Sequence, residues 1–187
     1  MPSEIWKISR EQRNKMGKES EKHSLEIGYC ASQKKYFYGY KLHSVCLAAG
    51  VIHSLDLTKA SVHDVQYLKD VKELLSNCMI ICEKGYISRQ QEINFFEIAG
   101  IELEVPLRSN QKEHKPIMWI LKKVSKRIEP VFSQLCDQLM MQRNYAKSFT
   151  CFKSRVLARV TGLKVLQFLN KFIYNKTVGR VEPTLAD

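Results

Sequence analysis

A carboxylate is best placed for chemistry where a rigid strand ends and a loop opens toward ligand. Glu83 has that setting. It follows the apolar run Met79-Ile80-Ile81-Cys82 and precedes Lys84-Gly85-Tyr86, so an acid, a base, a glycine and an aromatic leave one strand together. An ordinary polar loop accounts for the same residues. Glu129 is the second candidate, the lone acid of the basic stretch Lys122–Glu129. Its plainer role is that of an i,i+3 helix partner for Lys126, worth a few tenths of a kcal/mol. Asp64 is the third. Ser61-Val62-His63-Asp64 reads as a capping box with Ser61 as N-cap, which favours a structural role for Asp64. Other chemistries lack their residues: there is no P-loop, no Gly-x-Ser-x-Gly elbow and no His-Glu-x-x-His. The six cysteines form no Cys-x-x-Cys pair, and the five histidines do not join them at zinc-finger spacing, so free, buried thiols are expected.

The elements that must position these residues follow from periodicity. Tyr36, Tyr38, Tyr40, Leu42 and Ser44 alternate with Phe37, Gly39, Lys41 and His43, a period of two that predicts a strand. Ala49-Gly50 supplies a turn and Val51–Thr58 a second strand, making a hairpin. Val62, Val65, Leu68, Val71 and Leu75 recur at helical spacing. Cys78–Cys82 is a short strand, and a helix from Ser88 stops at Gly100. Ile101, Leu103 and Val105 form another strand, ended by Pro106. A helical pattern from Ile117 to Leu139 is interrupted by Pro130, which predicts a kink. A last basic helix runs from Phe149 to about Tyr174, with a break expected near Gly162. Hairpin, helix, strand, helix, strand and then helices predict an α/β fold, a mixed sheet flanked by helices with a helical C-terminal part.

Length and charge set the outer bounds. A chain of 187 residues suits one domain, and 44% hydrophobic residues argue against wholesale disorder. The expected division is a basic N-terminal arm over residues 1–28, a folded domain over 29–175 and a loose tail over 176–187. The longest apolar run, Cys46–Ile52, falls far short of the roughly 18–20 residues that span a membrane. No apolar signal region follows Met1, so a soluble cytoplasmic protein is expected. The net charge of +11 is unevenly spread. Residues 1–41 carry nine bases and five acids, residues 42–110 six bases and nine acids, and residues 111–187 fifteen bases and five acids. A basic folded surface around a mildly acidic centre suits a polyanion held around a carboxylate site.

Four blocks then resemble one family. Tyr29-Cys30-Ala31-Ser32-Gln33-Lys34-Lys35-Tyr36-Phe37-Tyr38-Gly39-Tyr40-Lys41-Leu42-His43 looks like the hairpin of DDE transposases from bacterial insertion sequences. Thr58–Asp64 resembles that family's turn into its first helix, typically Thr-x-Gly/Ala-x-x-His-Asp-Val. Glu83-Lys84-Gly85-Tyr86 resembles its Asp-Lys-Gly-Tyr block, and Arg127-Ile128-Glu129-x-x-Phe132 its late Arg-x-x-Glu-x-x-Phe block. The blocks occur in family order over about residues 29–135.

The resemblance implies an RNase H-like fold in which three carboxylates hold two divalent cations, Mg²⁺ or Mn²⁺, for attack on a phosphodiester. Transferred residue by residue, it makes Glu83 and Glu129 the catalytic and metal-binding acids. It makes Lys35, Lys41, Lys84, Arg108, Lys123, Lys126 and Arg127 the contacts to the DNA backbone. His43, Asp64 and Tyr86 are weaker or structural candidates. The implied partner is DNA, both insertion-sequence ends and target, in the nucleoid of a bacterium. A homo-oligomer is one option for assembly.

The chain departs from the family pattern in three ways. The first aspartate, usually in Asp-Ser/Thr-x-Pro on a preceding strand, has no counterpart after Met1-Pro2, so that strand is expected to be missing and the chain truncated. Glu83 stands for the second aspartate, and Pro130 directly follows Glu129. An impaired transposase domain is the leading expectation. A non-catalytic DNA-binding remnant or reused domain is the alternative, and a basic domain unrelated to nucleic acid is a third.

Overall fold

The computed structural model describes residues 25–30, 34–82, 89–105 and 118–179, with the side chains of 89–92 excepted. In chain order the elements are β1 (Glu26–Cys30), β2 (Lys35–Cys46), β3 (Ile52–Lys59), α1 (Val65–Leu74), β4 (Met79–Ile81), α2 (Arg89–Ala99), β5 (Glu102–Glu104), α3 (Trp119–Ser125), α4 (Ile128–Asp137), α5 (Phe149–Phe168) and a π-helical turn, Leu169–Ile173. Where one domain was expected, the chain divides into two compact units. The first joins Pro2–Val62 to Arg127–Asp187 and the second is His63–Lys126.

The first unit is an antiparallel meander in the order β1-β2-β3 backed by the C-terminal helices. β1 pairs with Lys35–Gly39 of β2, and β3 pairs with Tyr40–Cys46. The hairpin between β2 and β3 turns at Gly50, whose φ of +86° suits glycine, and its N–H donates to the Leu47 carbonyl at 2.8 Å. The aromatic alternation of β2 points inward from Tyr38 on, while Tyr36 at its start is exposed: Tyr40 and Leu42 are buried in one cluster with Leu25, Ile52, Val131, Leu135, Phe152, Val156, Val160 and Leu163. Tyr40 meets the rings of Phe149 and Phe152 at 5.0 and 5.1 Å. Leu25 lies in this core and Glu26 opens β1, so the fold begins before Tyr29, the boundary expected for the N-terminal arm. The alternation misleads on the other face of β2, where Lys41 and His43 are buried too.

Helix α5 buries Phe152, Val156, Val160, Leu163 and Gln167, steps of four, four, three and four that form one stripe. Ser148 caps it by accepting from the Cys151 N–H at 3.2 Å. The helix runs unbroken through Gly162, where a break was expected, because packing of the stripe outweighs one glycine's propensity. A Cβ at Gly162 would meet nothing within 4 Å. The variant Gly162→Ala is therefore expected to gain about 0.5–1 kcal/mol. Its thermal midpoint should rise by roughly 1–4 °C, read by circular dichroism.

The second unit contains a β-α-β crossover. β4 pairs in parallel with β5, Met79 opposite Glu102 and Ile81 opposite Glu104, with α2 between them in sequence. Phe95 of α2 and Ile101 before β5 are fully buried. Gly100, at φ +61°, ends α2, and its N–H donates to the Phe96 carbonyl at 3.1 Å. These strands and the end of α2 match the sequence expectation closely. The capping box does not. Ser61 turns to Glu26 instead, Asp64 makes no side-chain cap, and the Val65 N–H donates to His63 Nδ1 at 3.3 Å. Both antiparallel and parallel pairings are present, flanked by helices, as the α/β reading requires. Among the described residues they form two hydrogen-bonded sheets rather than one.

Candidate functional site

The site residues are best built up from the turn that follows β3. Lys41 and His43 are two apart on β2 and so share a face. Lys41 Nζ donates to the Val62 carbonyl at 2.9 Å. His43 Nε2 is hydrogen-bonded to Thr58 Oγ1 at 2.8 Å. Glu26 binds the same segment from β1: Lys59 Nζ lies 2.7 Å from its Oε1, and Ser61 Oγ donates to its Oε2. The Lys59 and Ser61 hydrogen bonds hold the Glu26 carboxyl below its ordinary range. That stabilisation is present above the unfolded carboxylate pKa and is lost as pH falls through the lowered folded value. Two sequence blocks, Tyr29–His43 and Thr58–Asp64, are therefore physically joined.

Lys41 is only 8% exposed, and its ammonium braces the turn through the Val62 carbonyl. His43, 2% exposed, positions Thr58 and thereby the same turn. Lys35 is exposed at the start of β2. Asp64 sits just ahead of α1.

Glu129 lies in the first turn of α4 and is exposed. Pro130 follows it at the third helical position, where a backbone N–H would have no intrahelical acceptor. The proline thus falls in the opening turn of a helix, and the expected kink is absent. The interruption falls earlier, at Lys126-Arg127 between α3 and α4. Lys126 is outside α4 and forms no ion pair with Glu129, so the i,i+3 pairing is also absent. Lys123, Lys126 and Arg127 are exposed. Glu83, Lys84, Tyr86 and Arg108 lie outside the described residues. Among the described residues no three His, Cys, Asp or Glu side chains converge as a metal site.

The thiols are free, as expected. Burial pushes the Cys46 thiol up to about 11 and raises that of Cys136. They do not all lie inside: Cys151 is exposed. Sequence reasoning missed Glu26 and Gly28, because both fall in the stretch assigned to a polar arm. A glycine between Ile27 and Tyr29 in a strand-forming run was the available signal of close backbone approach.

An antiparallel meander, a braced turn into a helix, a β-α-β crossover and a helical C-terminal part define an α/β domain of RNase H-like type. The chain belongs to the transposase DDE domain family, whose model matches residues 6–162, extending beyond the four sequence blocks in both directions. Members of that family cut and join DNA during transposition and generally use divalent metal ions. No curated protein and no solved structure matches the chain. Among the described residues no helix is long and apolar enough to cross a membrane.

Proposed function

We propose that this chain is a DNA-binding transposase domain of the insertion-sequence type whose own cutting and joining activity is weakened. The family match over residues 6–162 carries the reading. Its exposed bases and the net-acidic central region support it. The weakening follows from residue types. Glu83 stands where the family block has Asp. One extra methylene moves a carboxylate by roughly 1.5 Å, and a misplacement of about 1 Å can cost about 100-fold in rate.

Glu129 suits the metal the family uses. Its carboxylate is exposed and, among the described residues, carries no hydrogen bond or ion pair. Oxygen donors are what a hard cation such as Mg²⁺ or Mn²⁺ requires. Glu83 and Glu129 would hold it. When bound, such cations activate a water or a 3′-hydroxyl and offset charge on the phosphodiester. The protein's own part is to hold the DNA backbone through Lys35, Lys84, Arg108, Lys123, Lys126 and Arg127. This reading places the protein on DNA in the bacterial cytoplasm.

Nicking and strand joining of end-sequence DNA in Mg²⁺ or Mn²⁺ test it. Wild-type activity should be weak, and Glu83→Asp should raise it at least about tenfold by restoring the carboxylate's reach. Glu129→Gln should remove what activity there is. Strong wild-type activity indifferent to Glu129→Gln would overturn the catalytic part. The second reading, a non-catalytic DNA-binding remnant, is favoured by the concentration of bases after Lys112. It predicts DNA affinity with no activity in any of the three forms.

A further inference from the structure

The C-terminal end of the first unit carries an exposed aromatic group that the fold does not use. Helix α5 turns Phe152, Val156, Val160 and Leu163 inward, which leaves Leu157, Lys164 and Phe168 on the outer side. Phe168 is 56% exposed and Phe172 69% exposed, and their rings lie 4.8 Å apart at 39°. Tyr174 is half exposed, and Lys176 Nζ sits 6.0 Å from the centre of its ring.

The backbone beneath is well anchored. Gln167 Nε2 donates to the Gly50 carbonyl at 2.9 Å, and Asn170 is buried. The π-helical turn is closed by the Tyr174 N–H on the Leu169 carbonyl at 3.0 Å and the Lys176 N–H on the Asn170 carbonyl at 2.7 Å. Such π turns are frequent at functional positions. Two phenylalanines in ring contact are thus held in water on an anchored support, with the half-exposed Tyr174 two residues further along the chain.

Charge selects the occupant. No acid occurs between Asp137 and Glu182, while Lys164, Lys171 and Lys176 are all exposed in the same stretch of chain, Lys176 beside the Tyr174 ring. A second copy docked through the same face would set lysine against lysine with no acid to offset them. A polyanion with flat apolar groups meets both requirements. We propose that Phe168, Phe172 and Tyr174, with Lys164, Lys171 and Lys176, form a stacking platform for the unpaired bases of single-stranded DNA. The rings take the base faces and the lysines take the phosphates, the combination by which single strands are held without sequence preference. The platform rests on the DNA-binding reading above. It lies after residue 162, beyond the span matched by the family.

The test uses the full chain and a fluorescein-labelled thymidine oligonucleotide of about a dozen nucleotides, the scale of one single-strand site. A hairpin duplex is the comparison, and binding is followed by anisotropy. The double variant Phe168→Ala/Phe172→Ala should lose about tenfold to a hundredfold in single-strand affinity and leave duplex affinity unchanged. Replacing Lys164, Lys171 and Lys176 by glutamine should weaken both. Equal loss for single strand and duplex, or no loss for either, overturns the platform while leaving duplex binding in place. A wild-type chain that binds neither DNA overturns the DNA-binding reading as well. Light scattering that finds a wild-type dimer turned to monomer by the double variant would assign the face to a second copy instead. Circular dichroism of the double variant should match wild type, since both side chains are largely in water.

Discussion

Replacing Gly28 by valine is expected to unfold most of the first unit, and Gly28→Ala to cost about 3 kcal/mol, the upper part of the range for overpacking. A Cβ at Gly28 would overlap the carbonyl oxygen, carbonyl carbon and Cβ of Ala60. The obstacle is mostly backbone, so no side-chain rotation relieves it. Nor can the Ala60 segment retreat cheaply. Its N–H donates to the Gly39 carbonyl at 3.0 Å, Lys59 and Ser61 on either side are bound to Glu26, and Lys41 holds the Val62 carbonyl. Moving Ala60 outward would strain or break several of these together, leaving buried groups unsatisfied. Against a total stability of roughly 5–15 kcal/mol, the loss is large. Urea denaturation followed by circular dichroism measures it. A midpoint for Gly28→Ala within error of wild type would mean that the segment does not pack on β1. Gly162→Ala, expected to move the opposite way, controls for a general effect of replacing glycine.

Gly28 also marks where the sequence was legible and where it was not. Local signals were read well. The alternation from Tyr36 to Ser44, the turn at Gly50, the short strand Met79–Ile81 and the stop at Gly100 each depend on neighbours within a few residues. The errors arose where distant contacts compete with local preference. Ser61 is an excellent N-cap by type, yet its hydroxyl is taken by Glu26 on another strand. Lys41 and His43 sit on what pattern alone makes the polar face of a hairpin, yet both are buried, Lys41 on the Val62 carbonyl beyond β3 and His43 on Thr58 within it. Pro130 reads as an interruption because the pattern from Ile117 to Leu139 is continuous. The chain breaks four residues earlier, and the proline falls in an opening turn that tolerates it.

The candidate site was legible in a different way. Glu129 stands out in the sequence as an isolated acid in a basic stretch, and it lies exposed in the first turn of α4. The aromatic platform was not found. Phe168 and Phe172 lie in a helical pattern that predicts burial for large apolar residues. Only the three-dimensional stripe reveals that Leu163 and Gln167 take the inner positions and the phenylalanines the outer ones.

The affinity of this chain for duplex DNA is expected to fall about a thousandfold between 50 and 200 mM salt. Lys147, Lys153, Arg155, Lys164, Lys171 and Lys176 are all exposed in a stretch that holds no acid. If about six bases, drawn from these and from the exposed Lys35, Lys123, Lys126 and Arg127, neutralise phosphates, the slope of log affinity against log salt is about −5, since each contact releases close to one counterion. Arg159 on the same helix is spent elsewhere. It donates to the Met141 and Arg143 carbonyls at 3.2 and 2.7 Å, fastening the loop between α4 and α5, and should contribute to stability rather than to the slope. Lys153→Gln/Arg155→Gln should therefore make the slope shallower by about 2, and Arg159→Gln should leave it unchanged while lowering the melting midpoint. Anisotropy titrations at several salt concentrations decide the matter. An affinity flat across that range would mean the basic surface serves solubility alone, and the DNA-binding reading would fall with it.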